Sequence, residues 1–512
     1  MTFYKRPNNR RGWYYLPLHS PKWVLSMIKI SQPFFENKNY GPGGGIPVLK
    51  SIWDMFDFSL LFSQAGIRKH AGISAWIMAF AYICGLIGKA DSTNQNAVYS
   101  TDAPALKQIL EGQSITQSAF SRFLSKPFRW LDFAAKRIYA LQEKSDTRLT
   151  DGDIIALDDT KIEHPYGKKI PFLCWLFDSS DKRHIWCMNL VTTLAVLKSG
   201  LEYPLLWRIW VKTKNQDQKQ TKLELAKQML SEIRKTNKSR LWVAMDRWFL
   251  CKEFFNWLVE HGFDWVTKAK RNTVLYRKVE NPWSRKCYVK VSPTVLLKEV
   301  YPKLKAAEVN GFVSIPEIYI KLPYKVYNKK GESVNTYQYV PIAAVAGFVG
   351  KSASIDEKQD VLPEDDQAAK FQYAYLLISN RWDKPDTVAQ TYLKRWKIEV
   401  FYRFAKQELG LTSCYARNES AHFAHIELLF LAQTLLCYAR WVLNKEGAEP
   451  APTHCDMVKS FFNACCRIYC KNQQIQFYFD TTIALFASLF QNLWPTFIDL
   501  RLWNWDYYPL TA

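Results

Sequence analysis

Three acidic positions stand where a chain could gather them around metal ions. The run DIIAL (153–157) ends on Asp158 and Asp159, the run LWVAM (241–245) ends on Asp246, and Glu399 sits in TYLKRWKIEVFYRFAKQELG (391–410). Two strand-end aspartates and a helix glutamate form a cage suited to two Mg²⁺ ions, which take few carboxylates and keep room for water and phosphate oxygens. Ions ~3.5–4 Å apart would activate a nucleophile and stabilise the leaving oxygen of an in-line phosphoryl transfer. An Asp after a strand is, taken alone, commonly a turn former or helix cap. Three such acids with cations beside the Glu are harder to assign to turns.

Around Glu399 the spacing is helical. At ~100° per residue, Tyr392, Arg395, Glu399 and Lys406 fall within ~60° of one another, so one carboxylate lies among an aromatic and two cations. Leu393, Trp396, Val400 and Phe404 form the neighbouring arc, an apolar face to pack on a core. The common alternative for such a stretch is an amphipathic helix with solvated charges.

The elements that must position these acids follow from pattern. His184–Leu197 and Leu201–Val211 read as strands, Lys222–Lys235 as an amphipathic helix, Lys252–His261 as another helix, and Phe263–Lys268 and Ala374–Ser379 as buried strands. Such a series implies a mixed sheet with flanking helices, whose ligands bind just past the carboxyl ends of adjacent strands. The stretch from about Arg271 to Lys370 alternates in short segments and reads as a β-rich insertion. Ile52 to Lys144 reads as helical, with Ser114–Lys126 a candidate helix-turn-helix piece or part of a plain bundle. Beyond Ser420 the chain reads as helical to its end.

The 512 residues carry 69 Lys and Arg against 47 Asp and Glu, a net charge of +22, which points to a polyanionic partner. The longest apolar run, Trp76–Gly88, is too short to span a bilayer, and no secretory pattern follows the basic start. Nucleic acid is therefore favoured over a membrane. The eleven cysteines form no CxxC pair and read as reduced thiols; Cys455, Cys465, Cys466 and Cys470 near His454 fit no common zinc spacing.

The Tyr392–Arg395–Glu399–Lys406 spacing, together with LDDTKIEHPYG (157–167) and VAMDRWF (243–249), resembles the DDE transposases of bacterial insertion sequences, in the family-four group marked by Tyr-x2-Arg-x3-Glu-x6-Lys. The resemblance covers about residues 150–270 and 370–412. It implies an α/β, RNase H-like mixed-sheet core (150–270 and 371–412) interrupted by the β-rich insertion (271–370). A basic arm and linker (1–50) and a helical DNA-binding region (51–149) would precede it, and a helical region (413–512) follow. The implied metal ligands and catalytic acids are Asp246, Glu399 and either Asp158 or Asp159, with Mg²⁺ as cofactor and Mn²⁺ as substitute. Tyr392, Arg395 and Lys406 would contact DNA; Arg403 joins them on charge and proximity alone.

The resemblance also implies cut-and-paste transposition by end cleavage and strand transfer. The partner would be double-stranded DNA, bound by a homodimer at a bacterial, cytoplasmic nucleoid and with no membrane involved. An aromatic wedge expected in the insertion has Trp283 as its candidate. A DNA-binding protein without catalysis and a metal-dependent nuclease that does not join ends are the alternatives.

Overall fold

The computed structural model describes residues 40–178, 181–213, 220–279, 287–306, 311–327, 333–348, 374–445, 452–463, 466–471, 474–480 and 507–510. Trp283 and the basic arm with Lys5, Arg6, Arg10 and Arg11 lie outside them. Its centre is an eleven-stranded mixed sheet. The strands are β1 (Ile154–Glu163), β2 (Cys174–Asp178), β3 (Arg183–Val196), β4 (Glu202–Trp210), β5 (Leu241–Met245), β6 (Phe263–Lys268), β7 (Leu275–Lys278), β8 (Tyr288–Val291), β9 (Val313–Tyr327), β10 (Ser333–Phe348) and β11 (Ala374–Ser379). The first five core strands lie side by side in the order β4, β3, β1, β5, β6. β3 is antiparallel to both neighbours, and β1, β5 and β6 run parallel. That order and direction pattern is RNase H-like.

β5 is LWVAM with all five residues buried, as a strand covered by helices on both faces must be. The insertion strands extend the sheet beyond β11: β10 pairs with β11, β9 with β10, β7 with β9 and β8 with β7. The insertion also holds a helix, Pro293–Ala306.

The helices that flank the sheet are α1 (Trp130–Glu143), α2 (Lys222–Thr236), α3 (Lys252–Glu260), α4 (Pro385–Leu393), α5 (Trp396–Gln407) and α6 (Glu419–Lys445). Before α1, the chain from Ile46 to Leu124 forms six shorter helices. Gln117–Leu124 starts where the sequence supplies a cap: Thr116 Oγ1 accepts the Ala119 N–H at 3.2 Å. α2 opens with a complete capping box between Thr221 and Glu224. α6 has the length and apolarity of a membrane span, but 89% of its most apolar window is buried inside the protein.

Three expectations change. The strand expected to end at Asp158 and Asp159 runs on through them to Glu163, because antiparallel pairing with β3 continues after the parallel pairing with β5 stops at Leu157. Residues 391–410 are not one helix, because the chain turns at Lys394–Arg395 between α4 and α5. There the hydrogen bonds tighten to three-residue spacing: Arg395 N–H to Tyr392 O at 2.9 Å and Ile398 N–H to Arg395 O at 3.0 Å. Nor is the chain helical to its end. Cys466–Lys471 and Gln474–Asp480 pair antiparallel, joined by Tyr40–Gly41 on one side and Tyr507–Leu510 on the other. In QIQFYFD, Ile475, Phe477 and Phe479 recur every second residue, the period of a strand.

One fully buried ion pair joins three parts of this architecture. Arg137 on α1 and Glu427 on α6 are both at 0% exposure and 2.7 Å apart. Arg137 also donates to the Pro204 and Leu205 carbonyls of β4 at 2.9 and 2.7 Å, and Glu427 accepts the Trp207 indole N–H at 2.8 Å. Burial raises the Glu427 carboxyl, against the opposing pull of Arg137. Arg137→Met leaves that carboxylate uncompensated and should cost about 3–5 kcal/mol. Arg137→Met with Glu427→Leu should recover much of the loss; urea denaturation of both variants measures the difference.

Candidate active site

The register of two parallel strands brings the first acids together. Leu157 of β1 pairs with Met245 of β5, so Asp158 and Asp246 directly follow matched positions on adjacent strands ~4.8 Å apart. Asp246 is extended (φ −66°, ψ 153°), and its carboxylate caps the turn that follows by accepting the Trp248 N–H at 3.0 Å. The turn-capping role and the site position are therefore filled by one side chain.

Glu399 reaches the same place from the first turn of α5, and Arg395 is the link. Its Nη1 lies 3.0 Å from Asp158 Oδ2 and its Nη2 lies 2.7 Å from Glu399 Oε1, with Arg395 only 6% exposed. The guanidinium stands 5.5 Å from the Tyr392 ring centroid. Burial alone would weaken the Arg395 charge. Tyr392, Asp158, Glu399 and Asp246 outweigh it and hold the guanidinium pKa well above its ordinary value. The Asp158 carboxyl is pushed well up by burial; Arg395 opposes this, while Asp246 and Asp159 add to it.

Strand alternation separates the two neighbouring aspartates. Asp158 faces α5, whereas Asp159 Oδ2 accepts from Lys222 Nζ on α2 at 2.8 Å and from Asn189 Nδ2 on β3 at 2.6 Å. Lys222 itself lies against two indole rings, 4.8 Å from that of Trp248 and 5.5 Å from that of Trp210.

The expected grouping of cations is only partly assembled. Tyr392 and Arg395 are buried beside the half-buried acids. Lys406 is half-buried two turns farther along α5, toward the end of β1. Burial lowers its pKa there, opposed by Asp178 and Glu163. Arg403 is exposed. The expected apolar arc is also not the packing face. Leu393 is 53% exposed, while Arg395, Ile398, Phe401, Tyr402 and Ala405 are buried along with Phe404.

Tyr402 is the residue that the sequence reading passed over. It is buried, and burial and the charges of Asp158 and Asp159 raise its hydroxyl far above the ordinary range. Seven residues after Arg395, it returns to within ~20° of the same helical face, a spacing that was available as a signal.

A separate trio of carboxylates, Glu163, Asp178 and Asp181, has oxygens within 4.8 Å of one another. It lies at the far end of β1 and is braced by Lys161 on Asp178 and Arg183 on Glu163 and Asp181.

An RNase H-like sheet with one acid midway along β1, a second just past the end of the adjacent parallel β5, and a third on a helix packed against them, defines a phosphoryl-transfer type of core. The chain belongs to the transposase DDE domain family, which it matches over residues 149–435. The resemblance to DDE transposases is thereby borne out at the level of the domain family. The chain is also 30% identical over 80 residues to a probable transposase for insertion sequence element IS5377 from Geobacillus stearothermophilus. That alignment covers 15% of this chain and spans about one fifth (20%) of the relative's length. Among solved structures, a piggyBac transposase synaptic complex with hairpin DNA aligns at TM-score 0.39 and 11% identity, covering 83% of this chain and 81% of that one.

The bridge itself is testable without DNA. Arg395→Lys keeps the charge but a single ammonium cannot match the planar fork across two carboxylates. It should destabilise metal-free protein by about 1.5–3 kcal/mol, close to Arg395→Gln. Thermal melts without divalent ions measure this; a Lys variant indistinguishable from wild type would show that the bridge contributes nothing.

Proposed function

We propose that this protein is a DNA transposase that carries out cut-and-paste movement of an insertion sequence, cleaving the element's ends and joining them to target DNA. The observation that carries this reading is the Asp158–Arg395–Glu399 bridge beside Asp246, inside a chain of the transposase DDE domain family. Of the two candidate first acids, the geometry favours Asp158 as the ligand, and Asp159 is a positioning residue committed to Lys222 and Asn189.

The donor set fits a hard divalent ion: three carboxylates, two of them side by side, already in need of cationic compensation. Asp158, Asp246 and Glu399 would hold Mg²⁺, with Mn²⁺ as substitute. When bound, such ions supply an activated nucleophile and charge to stabilise the leaving oxygen. Arg395, with an Nε–H that is buried and finds no partner among the described residues, has donors to spare for a phosphate near the scissile bond. Tyr392 supports that guanidinium with its ring, while Lys406 and Arg403 extend positive charge along α5 for backbone contacts. The helical region of residues 51–149 would bind the element's ends as duplex. A homodimer would hold the two ends, since both must be cut and joined together.

Purified protein with its element's own ends and Mg²⁺, scored for excision and joining, tests the reading. Cleavage with no joined product would instead mark a nuclease. Asp246→Ala and Glu399→Ala should each lower cleavage by about a thousandfold or more, the scale of several kcal/mol of lost charge stabilisation. End binding should persist, because phosphate contacts carry most affinity.

The two neighbouring acids should behave differently. Asp158→Asn should be nearly inactive. Asp159→Asn should still cleave but melt earlier, by about 1–3 kcal/mol for the partners it leaves unsatisfied. Equal activity of the two variants would overturn the assignment.

A further inference from the structure

The face of the sheet that carries Asp158 continues past the acids and ends in exposed aromatic rings. Asp158 pairs with Thr192 on β3, and pairing is unbroken from Val196 to Cys187, so alternation keeps Thr192 and Trp186 on one face. Trp186 is thus ~20 Å from Thr192 along the strand, at ~3.3 Å per residue. β2 pairs there as the outermost strand, with Trp175 opposite Trp186 and Phe177 opposite His184. The rings touch across the pair: 5.5 Å between the Trp175 and Trp186 centroids and 5.4 Å between Phe177 and His184. Trp175 is 58% exposed and Phe177 54%. Tyr415, in the loop after α5, is 69% exposed and stands 5.3 Å from the His164 ring at the end of β1.

Exposed Lys168 and Lys169 lie in the loop that leads into β2, Lys182 in the turn between β2 and β3, and Arg417 two residues after Tyr415. Of the acids nearby, Glu163 and Asp178 alternate to the other face, Asp181 in the turn before β3 joins them, and Lys161 and Arg183 hold the three. The row is therefore aromatic on its face and cationic at its margin.

We propose that Trp175, Trp186 and Phe177, with Tyr415 alongside, form a stacking platform for unpaired bases of a DNA strand that runs from the acidic site. The proposal rests on the reading of that site as one that cuts DNA. Aromatic rings on a sheet surface stack single-stranded bases whatever their sequence, while cations beside them track the backbone. A duplex keeps its base faces inside its own stack and offers such rings nothing, so the occupant is single-stranded DNA. The platform would hold the strand that is freed when an end is opened.

The test compares full-length wild type with Trp175→Ala/Phe177→Ala, both exposed positions outside the acid cluster. Fluorescence anisotropy with a labelled single-stranded oligonucleotide and its matched duplex reads affinity at one salt concentration. Affinity for the single strand should fall about tenfold or more, since each lost stack is worth ~1–3 kcal/mol. Duplex affinity and cleavage of a duplex end should be unchanged. Trp175→Tyr, which keeps a ring, should restore most of the single-strand affinity to an otherwise wild-type chain relative to Trp175→Ala.

Unchanged single-strand affinity would overturn the proposal, and so would an equal fall for single strand and duplex. Sedimentation showing that the double variant dissociates a wild-type oligomer would overturn it too, because a second copy would then be the occupant. Cleavage by wild type is a separate control. Its absence removes the transposase reading and leaves the binding comparison to stand or fall by itself.

Discussion

Carboxylates crowded together on adjacent strands cannot all keep their charge unless a cation stands among them, and this requirement organises the site. Asp158 is raised by burial and by its neighbours Asp246 and Asp159. Arg395 answers from α5, bridging Asp158 and Glu399 with both arms of its fork. The turn between α4 and α5 falls at Arg395 and sends its side chain inward. The helix face then packs through Arg395, Ile398, Phe401, Tyr402 and Ala405. An unpaired guanidinium would not be tolerated there; paired, it fixes the helix over the strand ends.

The same strand geometry explains why two consecutive aspartates have unlike surroundings. Side chains of β1 alternate between faces. Asp158 therefore meets α5 while Asp159 meets α2 and β3, where Lys222 and Asn189 hold it. Holding Asp159 from behind restrains the middle of β1 and so the direction of Asp158. Two strands over from Asp158, where Trp207 of β4 pairs with Thr192 of β3, Arg137 and Glu427 tie α1, β4 and α6 together through a pair with no exposure. Both devices put a charged residue where an apolar one would pack more simply, and both are satisfied by several partners, which keeps the desolvation cost bounded.

What could be read from the chain alone follows from the range of each interaction. Strands such as LWVAM and FDWVTK, and the helix after Thr221, are set by period and by local caps, so their ends match the structure closely. The acids were readable because each ends an apolar run or recurs at helical spacing. The choice between Asp158 and Asp159 was not readable, since it depends on which face α5 covers, a contact across 237 positions of sequence. The apolar face of α5 was misjudged for the same reason. Hydrophobicity ranks Leu393 above Arg395, but carboxylates on the sheet reverse that order and bury the arginine. At the C-terminal end, composition rich in aromatics suits helix or strand, and the alternation in QIQFYFD outweighs it.

The bridge also says something about how such a site can wait for its substrates. Arg395 supplies a single positive charge shared between Asp158 and Glu399, with Asp246 close by. A guanidinium that reaches both Asp158 and Glu399 sits where an ion sharing those ligands would compete with it. Freed from one carboxylate, its fork would have donors to offer a phosphate, and its buried Nε–H finds no acceptor among the described residues. If Asp158 and Glu399 were to hold an ion, the arginine they share would be left free to answer a phosphate. Such an exchange would keep a cation beside Asp158 throughout, the condition that its crowding with Asp246 and Asp159 imposes from the start.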